Sequence, residues 1–152
     1  MGRREHIAGS AAEGRLTWVT SKMELFATTT FWLWAAQILL ALLYGAVAVF
    51  KTTQPIPVLA KAIAWPGDVP PAFVRFVGIS EGFAAVGMLA PILTGILPWL
   101  TPLAALCLSL IQILAIGFHA VRGETKKTLA MNLVLLALSS FVAWGLWPLF
   151  AA

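Results

Sequence analysis

Ionisable and polar side chains interrupt four long apolar stretches of this chain, and their chemistry suggests a site inside a membrane. Glu81 is the clearest case, because a charged side chain at a bilayer centre costs roughly 2.5–3.5 kcal/mol and such residues are rare. Glu81 and His119 are the candidate catalytic residues, since a carboxylate and an imidazole move protons. Lys51 and Arg75 are suited to hold a carbonyl or an anion. The residues predicted to bind a ligand are Tyr44, Lys51, Arg75, Glu81, His119, Arg122 and Asn132.

A structural role remains an alternative for each of these side chains. His119 lies about one turn before a helix end, where a hydrogen bond to a neighbour would explain it. Lys51 and Arg75 are often anchors whose charged ends reach the membrane surface. Gln112 and Asn132 are typical interhelical hydrogen-bonding residues. Glu81 would then be the ion-pair partner of one nearby base: Lys51, Arg75 or Arg122.

Composition indicates an integral membrane protein. The 152 residues are 61% hydrophobic and 11% charged, whereas soluble domains have about 25% charged residues. A membrane-crossing helix needs about 20 mainly apolar residues, and the chain has room for four. We predict an all-α fold, a transmembrane up-down-up-down four-helix bundle. The predicted spans are residues 30–50, 73–97, 102–121 and 129–149, with a kink at Pro91.

The connections between the spans define two membrane faces. Side A has the N-terminal segment, the uncharged turn at 98–102 and the C-terminus. Side B has the long connection at 51–72 and the charged turn at 122–127. A short interfacial helix is predicted at 58–65, with Lys61 at the surface. Tryptophan prefers membrane interfaces, and its distribution agrees with two faces. Side A has Trp32, Trp34, Trp99, Trp144 and Trp147, and side B has Trp65.

Each span has one stripe of polar or small residues at helical spacing. These stripes are Gln37, Ala41, Tyr44, Ala48 and Lys51; Gly78, Glu81, Gly82 and Ala85; Ala105, Ser109, Gln112 and His119; and Asn132, Ser139 and Ala143. The remaining faces are apolar and suit lipid, so we expect the stripes to meet inside the bundle. The result would be a polar cavity that opens to side B and closes toward side A. Its predicted walls are Tyr44, Lys51, Glu81, His119 and Asn132.

The first 29 residues differ from the rest, because charged and small polar residues alternate there. Two interpretations stay open: a flexible tail, or an over-long start with the true initiator at Met23. The membrane domain is then 30–150. The single cysteine, Cys107, excludes an internal disulfide. No metal-ligand spacing is present in the sequence, and the net charge of +4 is assigned to membrane anchoring rather than to nucleic-acid binding.

Several motifs in order resemble the DoxX-like family of small four-helix bacterial membrane proteins. They are residues 49–51 with 54–55, 71–81, 97–102, 119–124 and 132–135. The resemblance covers about 32–147 and implies a bundle in the bacterial inner membrane. A relative, DoxD, is a subunit of a thiosulfate:quinone oxidoreductase, and other members are linked to thiol redox complexes. The matching site positions are Lys51, Glu81, His119 and Asn132. Ala48 departs from the glycine expected before the lysine, and the lone Cys107 argues against an autonomous thiol role.

Three functional hypotheses follow. The first is a redox-associated membrane subunit that binds a quinone or another small amphipathic ligand and takes electrons from an oxidoreductase partner. The second is a proton-coupled small-solute transporter that works as a homodimer. The third is a non-enzymatic assembly factor, with Gly78 and Gly82 as a helix-docking face. The sequence does not decide whether the protein is itself an enzyme. Basic residues favour side B in the cytoplasm, but three of them belong to the predicted site, so orientation stays open.

Overall fold

The computed structural model describes the backbone of residues 2–63 and 65–150. Side chains are described at 20, 21, 23, 24, 27–63, 65–124, 126 and 128–150. The described helices are α1 (Gly2–Thr53), α2 (Ile56–Ile63), α3 (Pro71–Gly87), α4 (Ala90–Thr94), α5 (Leu100–Val121) and α6 (Thr125–Gly145). Short 3-10 turns follow at Trp65–Gly67 and Trp147–Phe150. No β-strand occurs in these described ranges.

Four helical segments of the described chain are long and apolar enough to cross a membrane. They are Ala27–Thr53, Pro71–Thr94, Leu100–Val121 and Thr128–Gly145. The predicted all-α four-helix membrane bundle is therefore confirmed. The chain divides by its contacts into residues 1–34 and 35–152, and the core and the site described below lie in the second unit. The N-terminal boundary at residue 29 and the alternative start at Met23 stay predictions; α1 is helical from Gly2 onward.

Proline sets where the second span breaks. The second span is helical to Gly87 and again from Ala90, with Pro91 in the first turn of α4. Proline has no N–H to donate and its ring clashes with the preceding turn, so a helix ends before it and restarts with it in the first turn. The predicted kink at Pro91 is thus a short break. Pro148 has the same consequence at the end of α6, which stops at Gly145 rather than at the predicted 149.

Two apolar clusters hold the second unit together. The larger cluster fills the middle of the bundle and includes Leu40, Met88, Leu108 and Val142, all 0% exposed. The smaller cluster lies on side B, where Leu59, Trp65 and Val74 pack together with Phe118 at its edge. The connection between the first two spans therefore folds back over the bundle. Its helix begins at Ile56, two residues before the predicted start, and leaves Lys61 exposed.

Candidate functional site

A buried ion pair joins the first and second spans near side B. The Nζ atom of Lys51 lies 2.7 and 2.8 Å from the two carboxylate oxygens of Glu81. The side chains are only 8% and 6% exposed. Both charged groups are therefore largely buried, and each is a hydrogen-bond partner of the other. Of the bases suggested as structural partners of Glu81, the structure pairs it with Lys51.

Glycines on α3 allow this pairing because they bring α3 close to α1. A Cβ added at Gly78 would lie 2.8 Å from the Cβ of Lys51, which is closer than real Cβ atoms approach. A Cβ added at Gly82 would lie 3.4 Å from the Cβ of Ala48. The small face of α3 is therefore used within the chain, against the last turns of α1. The methyl group of Ala48, at the position where glycine was expected, fits here because Gly82 has no side chain.

Arg75 binds the end of α1 rather than the ion pair. Its guanidinium donates to the backbone carbonyls of Lys51 and Gln54, the second at 2.7 Å. The last carbonyls of a helix have no partner within the helix. Arg75 therefore caps α1 from α3 and helps to position Lys51. The Nη1 and Nη2 groups of Arg75 are therefore both hydrogen-bonded to backbone carbonyls.

Tyr44 and Gln112 continue the polar interior below the ion pair. The amide Nε2 of Gln112 donates a hydrogen bond to the Tyr44 hydroxyl, and both residues are buried. This bond links α1 to α5. Gln112 was predicted only as an interhelical hydrogen-bonding residue, and the structure gives it direct contact with a predicted site residue.

His119 and Arg122 meet a different carboxylate, that of Glu124. His119 Nδ1 lies 2.8 Å from Glu124 Oε2, and Arg122 Nη2 lies 3.0 Å from Glu124 Oε1. Arg122 also reaches Asp68 Oδ2 at 2.5 Å. We call these four residues the rim network. Hydrogen bonds from Arg122 and then His119 hold the pKa of Glu124 below its usual value. Hydrogen bonds to Glu124 and then Asp68 raise the pKa of Arg122.

Asp68 and Glu124 were missed as site residues by sequence reasoning. A signal for Asp68 was available, because it is the one acid between Lys51 and Glu81 in the sequence. Glu124 follows Gly123, which has a left-handed backbone with φ 71°. This turn folds the chain back, so that a carboxylate five residues after His119 can contact its ring. Helical spacing alone does not predict such a contact.

Trp65 covers the ion pair on side B. The Lys51 ammonium lies 5.5 Å from the centre of the indole. The indole also packs edge-to-face on Phe118 and Phe73, with centroids 6.0 and 6.3 Å apart. A cation above an aromatic face is stabilised by the ring electrons. The predicted opening of the site toward side B is therefore covered by Trp65 in this structure.

An open groove of about 610 Å³ runs along α1 and α3, and neither Lys51 nor Glu81 is in its lining. Its lining is apolar or small and includes Gly45, Ala48, Thr52, Gly78 and Gly82. The groove is thus not the polar cavity expected from the sequence. Of the five predicted wall residues, the structure joins Lys51 to Glu81, whereas Tyr44 bonds Gln112. His119 lies on the rim network, and Asn132 is buried on α6.

Comparison with known proteins agrees with this architecture. No curated protein and no solved structure matches the chain. The model of the DoxX-like family matches residues 35–142, which include Lys51, Glu81, His119 and Asn132. This multi-pass membrane protein therefore belongs to the DoxX-like family.

Proposed function

We propose that the protein is a redox-associated subunit of the bacterial inner membrane that binds a quinone-like or other small amphipathic ligand at Lys51 and Glu81. The observation that carries the proposal is the buried ion pair, because paired charges inside a membrane are costly to keep for stability alone. The lining of the apolar groove along α1 and α3 includes Thr52 and Gly82, the chain neighbours of Lys51 and Glu81. The polar head of an amphipathic ligand would thus meet the ion pair, and its apolar tail would meet the groove.

The chemistry follows from the two charged groups. The Lys51 ammonium donates to a carbonyl oxygen of the ligand, and Glu81 exchanges a proton with the same oxygen. The groove holds the apolar part, and its volume of about 610 Å³ lies in the range of roughly 300–1,000 Å³ common for ligand pockets. We place the electron donor in an oxidoreductase partner subunit. The chain is then a non-autonomous part of an enzyme.

Two observations favour this hypothesis over the alternatives. The Gly78 and Gly82 face packs against α1, which gives it a role inside the chain rather than as a docking face for an assembly partner. Lys51 lies in the last turn of α1, on side B, whereas transporter sites lie near the bilayer midplane. A site near one face suits a ligand that enters from the lipid.

The experiment is purification in mild detergent followed by mass spectrometry of bound small molecules and subunits. We expect an amphipathic ligand to copurify with the wild-type protein. The double variant Lys51→Met/Glu81→Leu replaces the pair by apolar groups of similar size, which a buried site tolerates well. It should remain folded and lose the ligand. Ser80→Ala is the matched control, since Ser80 is next to Glu81 and, among the described residues, its side chain hydrogen-bonds only to the Phe76 carbonyl. Wild-type ligand content in the double variant would exclude the pair as the binding group.

A further inference from the structure

The indole of Trp65 fills an aromatic slot beside the buried ion pair. Trp65 is 9% exposed, and the centre of its ring lies 5.5 Å from the Lys51 ammonium. Phe118 and Phe73 pack edge-to-face with the same ring, with centroids 6.0 and 6.3 Å away. One flat ring is therefore held by a cation from α1 and by aromatic side chains from α3 and α5. Edge-to-face packing and a nearby cation both stabilise a ring in such a place.

Trp65 belongs to a turn, whereas the side chains around it belong to membrane spans. It is the first residue of the 3-10 turn that follows α2. The backbone N–H of Asp68 donates to the Trp65 carbonyl at 3.0 Å, which closes the turn at 65–68 and makes its two ends move together. Surface turns move more easily than the elements they connect. The indole can therefore leave the slot without movement of any span.

An exposed ion pair ties this turn to the end of α5. Asp68 Oδ2 lies 2.5 Å from Arg122 Nη2, and the Asp68 side chain is 60% exposed. The Arg122 guanidinium also lies 5.5 Å from the centre of the Phe118 ring, so the tie is anchored at a wall of the slot. We call the pair of Asp68 and Arg122 the latch. Exposed ion pairs are weak and are screened by salt, so the latch favours the closed turn without locking it.

We propose that Trp65 is a built-in plug whose indole occupies the ring subsite of a quinone-like ligand and is kept there by the latch. When the turn at 65–68 swings out, a flat head group of one or two fused rings replaces the indole against Phe73 and Phe118. The Lys51 ammonium is then uncovered and donates to a carbonyl oxygen on that head group. The identity of the ligand rests on the proposed function, whereas the opening of the turn does not.

Removal of the latch should tighten ligand binding, because the ligand binds only the open form. The apparent Kd equals the intrinsic Kd divided by the open fraction. Loss of an exposed ion pair should raise a small open fraction by about two- to fivefold. We therefore expect Asp68→Asn to bind radiolabelled decyl-benzoquinone tighter than the wild-type protein by that factor, measured by equilibrium binding in detergent micelles. High salt should tighten binding to the wild-type protein and leave that to Asp68→Asn unchanged.

Hydrogen exchange, followed by mass spectrometry, reports on the turn without any ligand. Exchange over residues 65–68 should be faster in Asp68→Asn than in the wild-type protein. Asp68 is largely exposed, so its substitution should leave the fold intact. Lys61→Gln is the matched control, because it removes an exposed charge from α2 in the same connection. It should change neither the exchange over 65–68 nor quinone binding.

Faster exchange together with tighter binding in Asp68→Asn would support the plug. Faster exchange with unchanged binding would overturn it, since the turn would open without guarding a ligand site, and unchanged exchange would overturn the latch. Addition of Lys51→Met/Glu81→Leu to Asp68→Asn separates the plug from the proposed function. A gain in affinity that survives there would exclude the ion pair as the binding group and leave the ring subsite in place. Absence of decyl-benzoquinone binding in all of these proteins would overturn the ring subsite, while the copurified ligand would still decide the proposed function.

Discussion

The two ionic regions of this protein use similar residues in opposite surroundings. The pair of Lys51 and Glu81 is inside the bundle, with side chains 8% and 6% exposed. The rim network is held by Arg122, whose partner Asp68 is 60% exposed. One region has a single carboxylate bound by one base and covered by Trp65. The other shares one guanidinium between two carboxylates at the edge of the membrane.

The two ionic regions therefore have different roles in the protein. A rim ion pair is screened by water and salt and contributes little to stability. A buried pair is neutral or unfavourable relative to apolar packing, yet removal of one partner alone is expensive. The protein keeps the costly arrangement at Lys51 and Glu81. A binding role explains this better than stability does, and the rim network then acts as a clasp for the connection that covers the pair.

The largest effect should follow from breaking the buried pair on one side only. Lys51→Met leaves Glu81 buried without its base, and Glu81→Leu leaves Lys51 buried without its acid. We expect each single variant to lower the free energy of unfolding by about 3–5 kcal/mol. The double variant Lys51→Met/Glu81→Leu should recover most of that loss. Unfolding titrations in mixed detergent micelles measure all three.

The same three variants can also contradict the binding role inferred for Lys51 and Glu81. If the loss of unfolding free energy in the double variant equals the sum of the losses in the two single variants, the two charged side chains are not energetically coupled. Their burial is then structural. If neither single variant is destabilised, the charges reach water in the membrane and the two ionic regions do not differ. Either result would remove the contrast from which the binding role is inferred.

Close packing of α3 on α1 should have the next largest effect. Gly78→Ala puts a methyl group where a Cβ would lie 2.8 Å from the Cβ of Lys51, so the two helices must separate. We expect a loss of about 1–3 kcal/mol in unfolding free energy and a weaker ion pair. Gly117→Ala is the control, because no described atom lies within 4 Å of the added Cβ. Equal stability of both variants would contradict the assigned role of the glycine.

Sequence patterns predicted the interior of this protein better than its rim. The stripes through Lys51 and Glu81 follow helical spacing, so burial in a membrane bundle and proximity at one depth could be inferred. The specific choice of Lys51 over Arg75 or Arg122 could not, because it depends on the close approach at Gly78. The contact of Asp68 with Arg122 depends on how a proline-rich connection folds back. Side-chain periodicity carries no information about that path.

The smallest effect concerns acid at the rim network. Hydrogen bonds from Arg122 and His119 lower the pKa of Glu124 from the usual 4.5, so the folded state favours its ionised form. The stabilisation is complete above pH 4.5 and disappears as the pH falls through the lower folded value. Unfolding titrations should therefore show that acid destabilises the wild-type protein more steeply than Glu124→Gln. High salt should reduce that difference, because exposed charges are screened. An identical acid response in both proteins would mean that Glu124 is not held by Arg122. That result would contradict the role of the rim network as a clasp for the connection that covers the buried pair.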